Sequence, residues 1–217
     1  MYLDLEFPVF STSAIPADHG YHLYAGLSKA LETLHSENGI GVHPIRGQQI
    51  GGRKLQLMPW SSVRIRTPQD KVGDLISLSG KSIHINDCKV RLGVPKLHAL
   101  EPATALRSRL VTIKGFQDAD TFPEAVRRQL NALEVSEQVI ITIPLRQRKP
   151  DEAPVPVRRT IRIRGKEVVG FEVILEGLSA EESINVQETG IGGRRHMGCG
   201  VFVPLKTSVA VPIAQDS

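Results

Sequence analysis

Only two cysteines, Cys88 and Cys199, occur in the 217 residues, and they lie far apart. That excludes a disulfide framework and fits a reducing, cytoplasmic compartment. A lone thiol at Cys199 could serve as a nucleophile, but a small buried filler is the stronger reading. The seven histidines show no ligand spacing such as HxxxH or CxxC, so neither a metal nor a cofactor is expected. No apolar run approaches the length of a membrane span. The opening "MYLDLEFPVF" carries acids where an export signal needs bases, so no signal peptide is expected. Aromatic residues are scarce at 5%, which leaves little to build a stacking platform for unpaired bases.

Acidic residues are also missing, but only locally. Met1 to Glu37 holds five acids and one base, whereas Asn38 to Gln69 holds no acid and five bases, Arg46, Arg53, Lys54, Arg64 and Arg66. Between Arg146 and Lys166 eight bases face two acids. Clustered bases repel one another unless phosphates neutralise them, so a polyanion site is one reading and solvated strand faces the other. The net charge of +4 decides nothing alone.

What is present is a repeated pattern. Residues 2–9 alternate as a strand. "IPADHGYHLYAGLSKALETLHSENG" reads as a helix with Asp18 as N-cap, a stripe of Leu23, Leu27, Ala30, Leu31 and Leu34, and a stop at Gly39. "IGVHPI" is a short edge strand, "KLQLMPWSSVRIRTP" a strand broken by Pro59, and residues 69–79 a second helix. "KSIHINDCKVRLG" is a hairpin through Asn86-Asp87 or one bent strand. The second half follows suit. "RLVTIKG" is a strand, "TFPEAVRRQLNALEV" a helix capped by Thr121, and "EQVIITIPL" a strand. "RRTIRIRGKEVVGFEVILEGL" is a hairpin turning at Gly165, "SAEESINVQETG" a helix from Ser179, and "CGVFVPL" a last strand. The fold class is therefore α+β, with tandem ferredoxin-like (RRM-like) βαββαβ domains over 1–97 and 98–217. "RQRKPDEAPVPVRR" is expected to be a mobile loop. An echo, "SVRIRTP" and "TIRIRGK", sets Arg64/Arg66 and Arg162/Arg164 each on one strand face.

"GIGGRRHMGCG" stands between the last helix and the last strand, with Gly190, Gly192, Gly193, Gly198 and Gly200 around Arg194 and Arg195. A dinucleotide fingerprint or P-loop follows a strand and opens a helix, so this loop is neither. Bare N–H groups approaching an anion explain five glycines better than a helix cap and a tight turn do.

Together "IPADHGYHLYAGLSKAL", "GVHPIRG" and "GGRRHMGCGVF" resemble the CRISPR-associated repeat-RNA endoribonucleases, the sixth Cas family of the RAMP superfamily, and most of all their Myxan-subtype branch. The resemblance spans nearly the whole chain. It implies cutting of CRISPR precursor transcripts within each repeat by attack of a ribose 2′-OH on the adjacent phosphate, without a metal. The products would be a 2′,3′-cyclic (or 3′) phosphate and a 5′-OH. It also implies retention on the 3′ handle of the mature guide RNA, and Cascade-like effector subunits as partners, with transposition proteins left open. A catalytically inactive RNA-binding subunit is the alternative.

Such chemistry needs a base for the 2′ proton, an acid for the leaving 5′ oxygen and a cation at the phosphate. His43, in the position of the family's frequent general base or acid, leads, with His19 as its rival. Tyr24 and Ser28, one turn apart, could orient ribose or phosphate, Ser28 falling near where some relatives carry a tyrosine. Arg46 and Lys54 are candidates for the scissile phosphate, with Arg53 beside them. Arg158, Arg159, Arg162 and Arg164 would grip an RNA stem through its backbone, reading A-form shape. A folded stem-loop is favoured over an extended repeat by the lack of aromatics.

Overall fold

A computed structural model of the protein describes residues 1–35, 39–147 and 149–205. Its first half runs β1 (Tyr2–Phe10), β2 (Ile15–Pro16), α1 (Gly20–Ala30), β3 (Gly41–Val42), β4 (Gln48–Gln49), β5 (Lys54–Gln56), β6 (Ser62–Pro68), α2 (Val72–Ile76), β7 (Ser82–Ile85), β8 (Cys88–Leu92) and β9 (Lys96–Ala99). The second runs β10 (Ala105–Val111), α3 (Phe122–Ala132), β11 (Ile140–Thr142), β12 (Leu145–Arg146), β13 (Val155–Pro156), β14 (Arg158–Ile163), β15 (Lys166–Glu176), α4 (Ala180–Thr189) and β16 (Val203–Pro204). The chain crosses from one sheet to the other between Ala99 and Ala105. Among the described residues no helix is long and apolar enough to cross a membrane.

Alternation in β1 turns Leu5, Phe7 and Val9 inward and leaves Glu6, Pro8 and Phe10 on the other face. Leu23 and Leu27 of α1 complete that core. Between them Gly26 lets the β7 backbone close in, since a Cβ there would stand 2.5 Å from the His84 carbonyl oxygen. The first sheet is ordered β3-β6-β1-β8-β7, with β9 continuing along β1. The second is ordered β11-β15-β10-β16, with β14 folded back on β15. Counting β3, β6 and β8 as second to fourth, and β11, β15 and β16 likewise, both sheets read second-third-first-fourth. That is the ferredoxin-like order, present twice.

Several local expectations are refined. The α-helix ends at Ala30 rather than Gly39: Leu31 swings to φ −144, ψ 98, and a 3₁₀ turn at Glu32–His35 follows, which drops Leu34 into the core at 2% exposure. Asp18 does not cap α1. His19 holds that position, and the Asp18 carboxylate accepts the Arg162 backbone N–H at 3.0 Å. Residues 82–92 form a two-strand hairpin, with Asn86 in the left-handed region at φ 56. Part of the expected loop is ordered as a ribbon, β12 against β13; Arg148 lies outside the described residues. Arg164 leaves β14 for its turn at φ 49, so Arg162 and Arg164 do not share a strand face. Ser179 and Glu182 form a reciprocal capping box, whereas Thr121 caps α3 by position without a side-chain bond.

The halves are joined by Arg66, 1% exposed. Its guanidinium donates to both carboxylate oxygens of Asp4 (2.8 and 3.0 Å) and to the carbonyls of Gln187 (3.0 Å) and Phe202 (2.6 Å). Burial opposes ionisation of Asp4, but the Arg66 hydrogen bonds and charge, followed by His43 and Arg64, hold its carboxyl below the ordinary range. Truncating either partner leaves a buried charge unpaired, so Arg66→Met should lose about 3–5 kcal/mol of unfolding free energy. The double variant with Asp4→Asn should lose less than the sum of the single losses. Denaturant titration of all three variants checks both statements.

Candidate nucleic-acid interface

A cleft of about 250 Å³ opens between the two halves. Asp18, His19 and Gly20 at the start of α1 form one wall, with Pro44 and Arg53. Arg109, Arg158 and Arg159 of the second sheet form the other, and Met197 and Gly198 of the glycine loop close it. Thus the loop, one candidate histidine and bases from both basic segments meet in one place. The α1 start can sit so close to the loop because residue 20 is glycine: a Cβ there would lie 2.4 Å from the Met197 carbonyl oxygen.

The glycines do something other than expected. Every one of their N–H groups is taken by the protein's own acceptors. Gly190 donates to Val186, Gly193 to Thr112, Gly198 to Arg195 and Gly200 to Leu110, all at carbonyl oxygens, and Gly192 to the Gln129 side chain. The expectation of bare amides lining an anion cradle is therefore not met. Lack of a side chain matters instead for self-packing. A Cβ on Gly190 would meet the Gly200 carbonyl oxygen at 2.4 Å, and one on Gly200 the Ile191 carbonyl oxygen at 2.0 Å. Both also hold φ near +70°, at 73° and 65°. Of the loop cations, Arg194 reaches Thr112 (3.5 Å). Arg195 donates to Gly39 (3.3 Å) and Gln187 (3.4 Å) carbonyls as a second strut between the halves. Burial, then the Arg66 charge, brings the Arg195 pKa down to about 10, still charged at neutral pH. His196, missed in the sequence, lays its ring 4.3 Å from the Tyr24 ring.

The two candidate histidines have different surroundings. His19 is 2% exposed; its Nδ1–H donates to the Pro16 carbonyl and its Nε2 accepts the Ile45 N–H, both at 2.9 Å. Burial lowers its pKa, and both ring nitrogens are occupied in clamping α1 to the segment after β3. His43, at the end of β3, bonds Arg64 through its backbone. Its Nε2 lies 3.9 Å from Asp4 Oδ1 and makes no hydrogen bond. Burial, then the Arg66 charge, outweighs Asp4 and pushes the His43 pKa down to about 3, so the imidazole is neutral at ordinary pH. The next residue, Pro44, lines the cleft and touches Gly198.

The remaining candidates scatter. The Tyr24 hydroxyl donates to the Leu34 carbonyl at 3.3 Å. Ser28 is 1% exposed, with its Oγ lacking a partner inside the first core. Arg46, Lys54, Arg162 and Arg164 are exposed. Cys199 is fully buried, and burial pushes its thiol up to about 11, which suits a filler rather than a nucleophile. Sequence reasoning passed over Arg107 and Arg109, although "LRSRL" repeats the alternation it had noted twice elsewhere.

Fold and cleft together define a double ferredoxin-like protein with an arginine-walled cleft between its halves. The family model described as "Cas6 Crispr" matches residues 3–207, and the chain belongs to the Cas6 family. A relative from Myxococcus xanthus (strain DK1622), "CRISPR-associated endonuclease Cas6", is 41% identical over 204 residues, which are 94% of this chain and 82% of that protein. Among solved structures, "Characterization of a Cas6-related gene from Pyrococcus furiosus" is similar at a TM-score of 0.64 and 15% identity, covering 95% of this chain and 98% of that one. "An RAMP protein binding different RNA substrates" is similar at 0.63 and 12%, covering 95% and 100%. At these identities the two structures speak for the fold alone.

Both histidines have a folded-state pKa below the unfolded value, so the unfolded chain binds more protons as pH falls and stability is lost in that direction. For His43 the window runs from about 6.5 down to about 3. Unfolding free energies from denaturant titration at pH 7, 6 and 5 should fall by roughly 1 kcal/mol per pH unit for this group, and His43→Gln should flatten that dependence.

Proposed function

We propose that this chain is an endoribonuclease that cuts CRISPR repeat RNA by attack of the ribose 2′-OH on the neighbouring phosphate, without a metal, and stays on the 3′ handle of its product. The observation that carries the reading is the arginine-walled cleft, beside which His43 stands one residue away, a neutral imidazole whose Nε2 has no partner and is shielded from water until the ring turns toward the cleft. In this account Nε2 takes the 2′ proton. Burial, then the Arg66 charge with smaller effects of Arg64 and Arg46, depresses the His43 pKa in the free protein, and a bound phosphate would offset the charges and raise the basicity. Arg46 and Lys54 follow His43 closely and are assigned to the scissile phosphate, and Arg53, Arg158 and Arg159 to the backbone of a stem-loop. His19 holds the wall rather than the proton. The membership of the Cas6 family and the name of the Myxococcus relative support the substrate class.

A second reading, a non-catalytic RNA-holding subunit, is favoured by the weak basicity of His43 before RNA binds. Single-turnover cleavage of the cognate repeat in EDTA separates the two. The wild type should cut, leaving a cyclic phosphate and a 5′-OH. His43→Ala should slow cleavage by roughly 10²–10⁴-fold with RNA affinity kept. His19→Gln, read at a temperature where it is folded, should change the rate far less. Intact RNA in EDTA defeats the metal-free catalytic reading, and cleavage at an unaltered rate in His43→Ala removes His43 as the base.

A further inference from the structure

The outer face of the second sheet carries a charge cluster that none of the preceding assignments uses as a unit. Glu172 of β15 is 4% exposed, and each of its carboxylate oxygens holds one arginine. Arg107 Nη2 forms an ion pair with Oε1 at 2.6 Å, and Oε2 accepts from Arg159 Nη2 at 2.9 Å. One carboxylate thus fixes two guanidiniums side by side, on β10 and β14, the strands flanking it. Neither arginine is satisfied by this. The Nε atoms of Arg107 and Arg159 are both shielded from water and without an acceptor.

A third arginine completes the group. Arg109 stands two residues beyond Arg107 and lines the interdomain cleft beside Arg159 and Arg158. Desolvation at the cleft wall, then the Arg159 charge, lowers its pKa, with Glu172, Asp18 and Arg107 also close enough to act. Four arginines against Glu172 and Asp18 leave two uncompensated positive charges along this wall, where they repel one another unless an anion enters.

We infer that Arg107, Arg109 and Arg159, spaced by Glu172, form a preorganised binding site for backbone phosphates of the RNA. The inference rests on the RNA reading of the cleft given above. Glu172 is a positioning residue: its carboxylate fixes the spacing of two forks whose side chains remain partly exposed to a ligand. Arginine suits this role because its planar fork can bind one acceptor on one edge and a phosphate on another. Backbone phosphates carry no base identity, so the site contributes affinity and register rather than sequence choice.

Glu172→Gln gives a test whose sign decides. Removing a negative charge from a phosphate site should tighten binding if only net charge matters. If Glu172 sets the geometry, binding weakens despite the gain of positive charge, because an amide keeps one acceptor and turns a donor toward the other arginine. The probe is the cognate repeat made with 2′-O-methyl sugars, which removes the attacking hydroxyl. Binding is measured across a salt series, at a temperature where circular dichroism shows each variant folded. Glu172→Gln should bind about tenfold more weakly, and Arg107→Ala and Arg159→Ala should each reduce the salt slope by about one unit. Equal or tighter binding by Glu172→Gln overturns the site. If that variant does not fold, unchanged salt slopes in both arginine variants overturn it equally. A wild type that does not prefer the repeat over scrambled RNA removes the RNA reading together with the site. Normal wild-type binding with an insensitive Glu172 removes the site alone.

Discussion

Four hydrogen bonds from one buried guanidinium define how the two halves sit. Arg66 spends one edge on Asp4, inside its own sheet, and the other on Gln187 and Phe202 carbonyls in the second half. Those carbonyls lie at the end of α4 and beside β16, on either side of the glycine loop. The same contact therefore fixes both the interdomain angle and the seat of the loop. Arg195, Asp18 and Glu188 add further ties, to the Gly39 carbonyl and the Arg162 and Tyr2 amides. These ties are polar, and they fix geometry more than they add stability. The cleft exists because these bonds are directional.

The junction also shapes the chemistry. His43 stands beside the Asp4–Arg66 pair and so feels a buried carboxylate and several cations at once. The cations and burial prevail, and the ring remains neutral. A neutral imidazole with a vacant nitrogen is the state a proton acceptor requires. The wall opposite gathers arginines around one glutamate, the crowding that RNA phosphates would relieve under the proposed reading. On that proposal structure and reactivity share one electrostatic design, in which carboxylates hold the arginines and RNA completes the charge balance.

Much of this was legible in the sequence. Period-two alternation in residues 2–9, the hairpin turn at Gly165, the leucine stripe after Gly20 and the Ser179–Glu182 box mark the doubled βαββαβ order through local rules. The site was legible only in part, because pattern does not reveal depth. Arg64 and Arg66 share a motif and a strand face, yet one is half-exposed and the other sealed between the halves. Arg162 and Arg164 share that motif too, and a turn at φ 49 parts them. The glycines announced close approach correctly but not what approaches: Pro44, the Thr112 carbonyl and the loop's own backbone. His19 and His43 were equivalent as letters, and only the contacts of their ring nitrogens separate them.

The account stands on RNA lying in the cleft between the halves, against the glycine loop. Photocrosslinking of the cognate repeat carrying 4-thiouridine, followed by mass spectrometry, tests this directly. Crosslinks are expected in residues 17–20, 109–110 and 158–161, at Pro44 and Arg53, and at Met197–Gly198, the segments that meet at the cleft. Crosslinks confined to α2 and α3, with those segments unmarked, would contradict it.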